Sequence, residues 1–578
     1  MIAKAAALPG ACNVLLSPRG IRPEEGGMVF ARKGLLIGAA LAGFALPAEA
    51  GQNSERATAA SAATANCLPA GPPAQAEAAG PPVLLEGLGY SGIVPDTANG
   101  EARRWFDQGV RLIWAYDEVE AVRAFEQAQT LDPACAMCFW GEAWARGPTL
   151  NLNPRTPEHG KAAAAARRAL ALSGRLGLRD RALVEAMQVR VSFKSDFNSG
   201  GYRKAMARLA GRFPANDAVL VMAADAQIIA SDRMKPGSDA QGWLETVLRR
   251  NPDHSGAIHL YIHLTDFIDR QKLAEPYADR LGRLAPGASH LVHMPSHTFY
   301  GVGRYADAAA VNVTALAVDR AFVAKAKPAK SDYRVGLYAH NSHFAIQSAL
   351  IRGDGATALK IADDYRARYP ASADKGFRPV IRAATWYAAG LHAPVAEVMA
   401  MPVPEGALMK AMRLYARGEA QARAGNASAV RAEAMALAAL RAGPDGRALG
   451  SESAEALVEM TEHLLLGRAA MLDGKYTAAA AYYRKAMVLQ EGADFGSDPP
   501  PFWYPLRRSL GAALLAGGDA AGAKRQLLAS LEAWPADPLG LFLMGKAEEK
   551  LGGSGAPWLA RARSGWVGDP EALGLSRI

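Results

Sequence analysis

The sequence is poor in the features that mark several common protein classes. It has only four cysteines in 578 residues, which excludes a fold held together by a dense disulfide framework. No apolar run after position 50 is long enough to span a bilayer, so we expect no stable membrane anchor in the mature chain. The net charge of +9 is spread along the chain without a concentrated basic stripe, which argues against nucleic acid as a partner.

The amino-terminal segment has the order of an export signal. A basic pair at 32–33 precedes a short apolar run over 34–46, and small residues flank Glu49. This pattern predicts a secretory signal peptide over 1–50, with Met28 as a candidate true start. We therefore expect a periplasmic or secreted protein.

The chain after residue 97 repeats with a period of 34 residues. Small residues recur at positions 8 and 20, large apolar residues at positions 4, 11 and 24, and proline at position 32. In the repeat that starts at Ala102 these are Trp105, Gly109, Leu112, Ala121, Phe125 and Pro133. The pattern resembles the tetratricopeptide repeat (TPR). Small residues let two helices approach closely, and stacked helix hairpins cover one another's apolar faces. We predict an all-α fold, a TPR-type α-solenoid.

Composition and repeat phase divide the chain into regions. Residues 51–97 are predicted to be a disordered leader, because their Ala-, Pro- and Gly-rich start has few large apolar side chains to bury. Residues 98–215 hold amino-terminal hairpins with a CxxC motif, 216–372 hold histidine-rich hairpins, and 373–578 hold carboxy-terminal hairpins and a tail.

The histidines are concentrated in the middle region. Eight of the 11 lie between His254 and His343, and two pairs repeat with the 34-residue period. Positions 2, 5 and 9 of successive repeats share one helical stripe, which lies away from the seam of each hairpin. We expect this stripe on the open inner face of the superhelix. Its members are Asp225, His259, His263, His290, His293, His297, His340 and His343.

Several imidazoles at this spacing suit a transition metal such as Zn, Cu or Fe. One ion or two ions fit the number of histidines, while a metal-free polar groove for an acidic peptide and simple core packing are the alternatives. The glutamate of an HExxH protease is missing after His259. Asp225, Asp266, Tyr261, Tyr300 and Tyr338 are candidates for acid–base catalysis, but no pattern assigns a role to any of them.

Two smaller features also bear on function. Cys135 and Cys138 form a CxxC at the start of a helix, which predicts a disulfide after export or, since a helix start lowers a thiol pKa, a redox pair. Phe139 follows in place of histidine, which excludes covalent haem. Asn312 occupies an apolar repeat position, where its amide either orients a histidine or caps a carbonyl.

Four segments resemble a family of exported bacterial TPR proteins: CAMCFWGEAWARGP at 135–148, HLVHMPSHTFYGVGRY at 290–305, AHNSHF at 339–344 and PPPFWYPLRRSLGAALL at 499–515. The resemblance covers about residues 100–550 and departs from the expected pattern at Gly301, where an arginine is expected. It implies the solenoid fold and names no reaction.

The leading hypothesis from the sequence is an exported TPR scaffold with a histidine-rich metal site on its concave face and a protein or peptide partner bound there. A metal-free TPR interaction module is the second hypothesis. A metal-dependent hydrolase or oxidoreductase is the third.

Overall fold

A computed structural model describes residues 80–151, 156–231, 234–327, 333–370, 378–493 and 498–578. The predicted signal peptide and residues 51–79 of the predicted leader lie outside the described residues. Within the described ranges the chain is helical, and no strand occurs.

The helices pair in chain order into hairpins, as the repeat predicts. Hairpins 1 to 4 are α1 (Gly100–Trp114) with α2 (Glu118–Leu131), α3 (Ala136–Ala145) with α4 (Thr156–Leu172), α5 (Leu178–Arg190) with α6 (Ser199–Arg212), and α7 (Asp217–Ile229) with α8 (Asp239–Arg250). Hairpins 5 to 8 are α9 (Ser255–Phe267) with α10 (Glu275–Leu284), α11 (Ser289–His293) and α12 (Pro295–Gly301) with α13 (Tyr305–Ala326), α14 (Tyr333–Ile351) with α15 (Gly355–Arg368), and α16 (Arg378–His392) with α17 (Val395–Ala400). Hairpin 9 is α18 (Ala407–Arg423) with α19 (Ala427–Ala442), and after the short α20 (Pro444–Arg447) hairpins 10 to 12 are α21 (Glu452–Leu472) with α22 (Tyr476–Gly492), α23 (Leu506–Ala516) with α24 (Ala520–Ala533), and α25 (Pro538–Lys550) with α26 (Ala556–Gly565). The fold is an all-α TPR-type solenoid.

Hairpins 1 and 11 close where the repeat places a small residue opposite a large one. A Cβ added to Gly109 would lie 2.7 Å from the ring of Phe125, and one added to Gly511 would lie 2.9 Å from Leu527. These pairs are positions 8 and 24 of their repeats, so glycine is required for the two helices to meet. Polar residues before the helices accept hydrogen bonds from the first turn, as at Asn99, Asn198, Asn216, Ser238, Asp354, Asn426, Ser451 and Asp519.

The superhelix winds tightly enough for distant hairpins to touch. On one side, the carbonyl of Trp114 in hairpin 1 lies 2.7 Å from a ring nitrogen of His259 in hairpin 5. On the other, the rings of Tyr300 and Trp534 are 5.8 Å apart, which joins hairpins 6 and 11. Gly303, at φ +82°, lies directly against the backbone of Pro535. Hairpins 5 to 7 are therefore enclosed by both ends of the solenoid.

One expectation about the chain's divisions needs correction. Residues 80–97, placed in the disordered leader, pack as an extended segment: Leu88 and Ile93 are buried, and the carbonyl of Gly87 accepts a hydrogen bond from the backbone of Gly287 at 2.8 Å. A few large apolar side chains here outweigh the leader-like composition. Hairpins on both sides of the predicted division at 215/216 share one continuous cluster of buried side chains, as stacked hairpins do.

None of the described helices combines the length and apolar character needed to cross a membrane.

Candidate metal centre

Six histidines gather in two groups of three. Triad A consists of His259 and His263 on α9 and His290 on α11, and triad B consists of His293 on α11, His297 on α12 and His340 on α14. Within each triad the nitrogens that could bind a metal lie within 4.8 Å of one another. The structure thus brings together six of the seven histidines that the sequence singled out.

The two triads are the same construction, displaced by one repeat. Each takes positions 5 and 9 of one repeat, which are one helical turn apart, and position 2 of the next repeat. The same positions one rung earlier hold Asp225, Ile229 and Gly256, and position 9 one rung later is Gln347. A full set of three imidazoles therefore occurs only twice in this register.

In triad A, the backbone fixes the proton of the central histidine. Nδ1 of His259 lies 2.7 Å from the carbonyl oxygen of Trp114. A carbonyl only accepts, so the ring carries its proton on Nδ1 and presents a lone pair at Nε2. That nitrogen lies 3.1 Å from Nε2 of His263 and 3.0 Å from Nε2 of His290. Three ring nitrogens converge on one point.

In triad B, two histidines are fixed in the same way. Nδ1 of His293 lies 2.7 Å from Oδ1 of Asn312, whose amide group donates to the carbonyl of Ala308 at 2.8 Å. The amide thus fills both roles considered for it, orienting a histidine and capping a carbonyl. Nδ1 of His297 lies 2.7 Å from Oδ2 of Asp498, as an ion pair rather than a well-aligned hydrogen bond.

These contacts bring the other nitrogens of the two rings face to face. Nε2 of His293 and Nε2 of His297 are 3.1 Å apart. Were both rings neutral with their hydrogens on Nδ1, neither Nε2 atom could donate a hydrogen bond to the other. In that state a cation between the two nitrogens, either a proton or a metal ion, would satisfy both.

Burial keeps most of the cluster in the form that binds metals. Desolvation lowers the pKa of His259 to about 3, and desolvation together with the neighbouring imidazoles lowers the pKa of His263, His290, His293 and His340 well below the usual value. Only neutral imidazole binds a metal ion. These rings are therefore ligands without having to lose a proton.

His297 is the exception. Burial opposes its charged form, but Asp498 and Asp266 outweigh burial and raise the pKa of His297 to about 10. Oδ2 of Asp266 lies 3.6 Å from the same Nδ1 atom. A ring held by a carboxylate behind it, with its other nitrogen toward a metal position, is the arrangement found around many metal-binding histidines.

The triads do not line an open groove, contrary to our expectation. Their six side chains belong to residues that are at most 7% exposed. The ring of Tyr116 covers triad A, 4.5 Å from that of His259, and Phe344 covers triad B, 4.7 Å from the ring of His297. The histidine stripe does face the interior of the superhelix, but the tight winding fills that interior.

Two residues of the predicted site fall outside the triads. Nε2 of His343 lies 3.0 Å from Nε2 of Gln347, and this amide nitrogen also donates to the carbonyl of Pro500 at 3.0 Å. Asp225 accepts a hydrogen bond from Tyr116 at 3.4 Å, and burial raises its pKa to about 6. Each occupies position 5 of its repeat, but position 9 of that repeat holds Ile229 or Gln347 in place of a histidine.

The remaining candidates for acid–base catalysis differ in the side chains that they contact. Asp266 joins His297 and Asp498 in a third group able to hold a cation. Tyr261 donates to Glu245 at 3.1 Å, and Tyr338 contacts Arg320 and Asp364. Tyr300 is packed against Tyr305 and Trp534.

Asp498 is the site residue that the sequence did not reveal. It follows His297 by more than five repeat lengths and lies between hairpins 10 and 11, so no helical spacing relates the two. Its only signal was its place just before the Pro-Pro-Pro-Phe-Trp-Tyr segment, whose residues Phe502, Trp503 and Tyr504 are buried as core.

The cysteines lie apart from the histidines. Cys135 and Cys138 are joined by a disulfide with an S–S length of 2.06 Å at the start of α3. Asp96 accepts hydrogen bonds from the backbone of Ala136 and Met137 at this helix start. The disulfide belongs to neither triad.

Comparisons with known proteins add little beyond the fold. No protein-family profile matches the chain, and no curated protein matches its sequence. A human IFIT1 dimer with m7Gppp-AAAA is 14% identical over 82% of this chain and 91% of that chain, at a TM-score of 0.29. The TPR domain of P58(IPK) is 11% identical over 78% and 99%, at 0.22, and the APC/C complex Cut9–Hcn1 is 12% identical over 79% and 78%, at 0.26. At these scores the likenesses carry no conclusion about a ligand or an activity.

Proposed function

We propose that this chain is a metalloprotein that binds a transition-metal ion through the Nε2 atoms of His293, His297 and His340. The observation that carries the proposal is the approach of Nε2 of His293 to Nε2 of His297, 3.1 Å apart, within a buried group of three histidines. A metal ion satisfies both nitrogens at once, and Asn312 and Asp498 hold the two rings from behind.

The donor set narrows the choice of metal. Neutral imidazole suits Zn, Cu and Fe, whereas hard ions such as Mg and Ca prefer oxygen. Metal–nitrogen bonds of about 2.0–2.1 Å in a tetrahedral site put neighbouring ligand nitrogens roughly 3.4 Å apart. The observed separations of 3.0 and 3.1 Å need only a small opening of the triads to admit an ion.

Metal analysis of protein purified without a histidine tag tests the proposal. We expect a stoichiometric transition metal in the wild type and its loss from triad B in His293→Ala and His297→Ala variants. The matched control is His343→Ala, which removes a buried histidine of the same stripe that belongs to neither triad. Absence of metal from the wild type, or full retention in His297→Ala, would refute the proposal.

Export is part of the same proposal. A disulfide persists in an oxidising compartment, so the Cys135–Cys138 bond supports a periplasmic or secreted location. Amino-terminal sequencing of the protein from its native host should then find a chain that starts after Ala50. Intact export with the apolar segment retained would argue against signal cleavage.

A protein or peptide partner is the second candidate function, as in a metal-free TPR interaction module. It is favoured by exposed apolar side chains such as Val403, Met435 and Val488 in the later hairpins. The histidine-bearing stripe is covered, so a partner would bind elsewhere on the solenoid. Cross-linking in native extracts, with wild-type protein against a Met435→Lys variant, tests this: equal capture by both would exclude that surface.

A further inference from the structure

The two triads lie close enough to act as one centre. The ring centroids of His290 and His293 are 5.8 Å apart and those of His263 and His297 are 5.9 Å apart, although each pair spans the two triads. Within triad A the longest such separation is 6.2 Å, and within triad B it is 5.9 Å. These two pairs of rings from different triads are therefore no farther apart than the most separated rings of triad A.

The helices explain this proximity. His290 and His293 are three residues apart on α11, so one helical turn supplies a ligand to each triad. His263 and His297 occupy the same repeat position on neighbouring first helices, one rung apart. The repeat therefore places two identical three-imidazole sets side by side, with no side chain of another type required between them.

The charge of such a centre calls for an additional ligand. Two divalent ions would carry four positive charges, and six neutral imidazoles offset none of them. Asp266 and Asp498 supply negative charge only behind His297, on one side of triad B. A buried charge is stable only when it is paired. An anion between the two ions would be bound by both and would reduce the uncompensated charge.

Burial limits the size of that ligand. The residues of both triads are at most 7% exposed, and Tyr116 and Phe344 close the centre from two sides. Among the described residues, the carboxylates within 4 Å of a triad histidine are Asp266 and Asp498, and both approach Nδ1 of His297, on the side away from the other ring nitrogen. The available bridge is therefore a small oxygen ligand such as hydroxide.

From these observations, and on the basis of the function proposed above, we infer that triads A and B form a dinuclear metal centre. Each triad holds one ion, and the two ions share a single small oxygen ligand. The substrates of such a centre are restricted to molecules of similar size, because a larger molecule cannot reach either ion.

Copper loading of the full chain tests the inference. After removal of resident metal by a chelator, Cu(II) is titrated in, bound copper is measured, and the spins are counted by electron paramagnetic resonance. We expect two equivalents of copper and far fewer than two spins per chain, because a shared ligand couples the unpaired electrons of the two ions.

Variants assign the ions to the triads. His263→Ala and His340→Ala should each bind one equivalent and give one full spin, whereas His343→Ala should behave as the wild type. Far-UV circular dichroism verifies that each variant is folded, and the wild-type spin count stands even if a variant unfolds. Saturation of the wild type at one equivalent, or two full spins, would overturn the dinuclear centre while leaving a metal site. No bound copper at all would overturn the proposed function with it.

Discussion

Nε2 of His293 faces Nε2 of His297 at 3.1 Å, and each ring is held through its other nitrogen by an oxygen acceptor. In metal-free protein, the raised pKa of His297, caused by Asp498 and Asp266 against the effect of burial, keeps a proton between the two rings. A metal ion displaces that proton. The two Nε2 atoms can thus hold either a proton or a metal ion without rearrangement of the fold.

Asp498→Asn should weaken metal binding at triad B. The amide keeps an oxygen beside Nδ1 of His297, but the negative charge that makes the ring a better donor is lost. Removal of such an outer partner typically costs about 10–100-fold in metal affinity. Competition with a chromophoric chelator measures the change. The exposed Asp363→Asn is the control for the loss of one carboxylate, and an equal effect of both variants would deny Asp498 this role.

Asn312→Leu should show whether Asn312 acts by orienting His293 or only by filling its position in the core. Leucine is the type of residue that the repeat favours at this position, so packing alone predicts a fold at least as stable as the wild type. The Nδ1–H group of His293 would lose its closer acceptor, with Ser296 Oγ at 3.3 Å left as a weaker one, at a cost of about 1 kcal/mol, and the ring could turn. We expect slower metal uptake and weaker retention at triad B, measured by the same competition.

The control for that experiment is Asn312→Asp, which keeps an acceptor facing His293. The added negative charge behind His293 should make metal binding by this variant at least as tight as that of the wild type. If leucine and aspartate weaken binding equally, the amide does not act by orienting the histidine.

The fold could be predicted from the sequence because its determinants are local. Gly109 and Phe125 lie sixteen residues apart, and their contact follows from a period that can be counted along the chain. Prolines such as Pro252 and Pro286 end second helices for reasons that involve only their own backbone. Each hairpin repeats the same requirements, so weak matches in the middle of the chain inherit their register from strong ones.

The site could be predicted only in part, since its closure depends on contacts between distant repeats. The spacing of His259 and His263 specifies a common helix face, but it does not specify that Trp114, 145 residues earlier, would cover it. Asp498 reaches His297 only because the superhelix winds back on itself. The pitch of a solenoid is the sum of small rotations at every hairpin, and no short stretch of sequence determines it.

Removal of the disulfide by Cys135→Ser with Cys138→Ser should lower stability slightly and leave the metal content unchanged. The bond closes a loop with a sequence separation of three, for which the chain-entropy estimate is about 2 kcal/mol. Urea unfolding measures the loss, and metal analysis provides the second readout. Loss of metal from a folded double-serine variant would show that the cysteines act on the metal centre.

The stability of the protein should fall as the pH rises through the range set by Glu118, whose carboxylate is buried at the start of α2. Burial raises its pKa to about 8 from an ordinary value of 4.5, against the hydrogen bond that it accepts from Thr149 at 2.8 Å. Because the folded state holds this proton more tightly than the unfolded state, the contribution is fully present below about pH 4.5 and is lost toward pH 8. Each unit of pKa is worth about 1.4 kcal/mol, so the change amounts to a few kcal/mol.

Glu118→Gln cannot titrate, and its unfolding free energy should therefore gain on that of the wild type between pH 5 and pH 8. Urea unfolding at several pH values measures this difference, with the exposed Glu185→Gln as the control for loss of one carboxylate. Parallel pH profiles for wild type and Glu118→Gln would mean that the buried carboxylate is ionised in the folded protein at neutral pH.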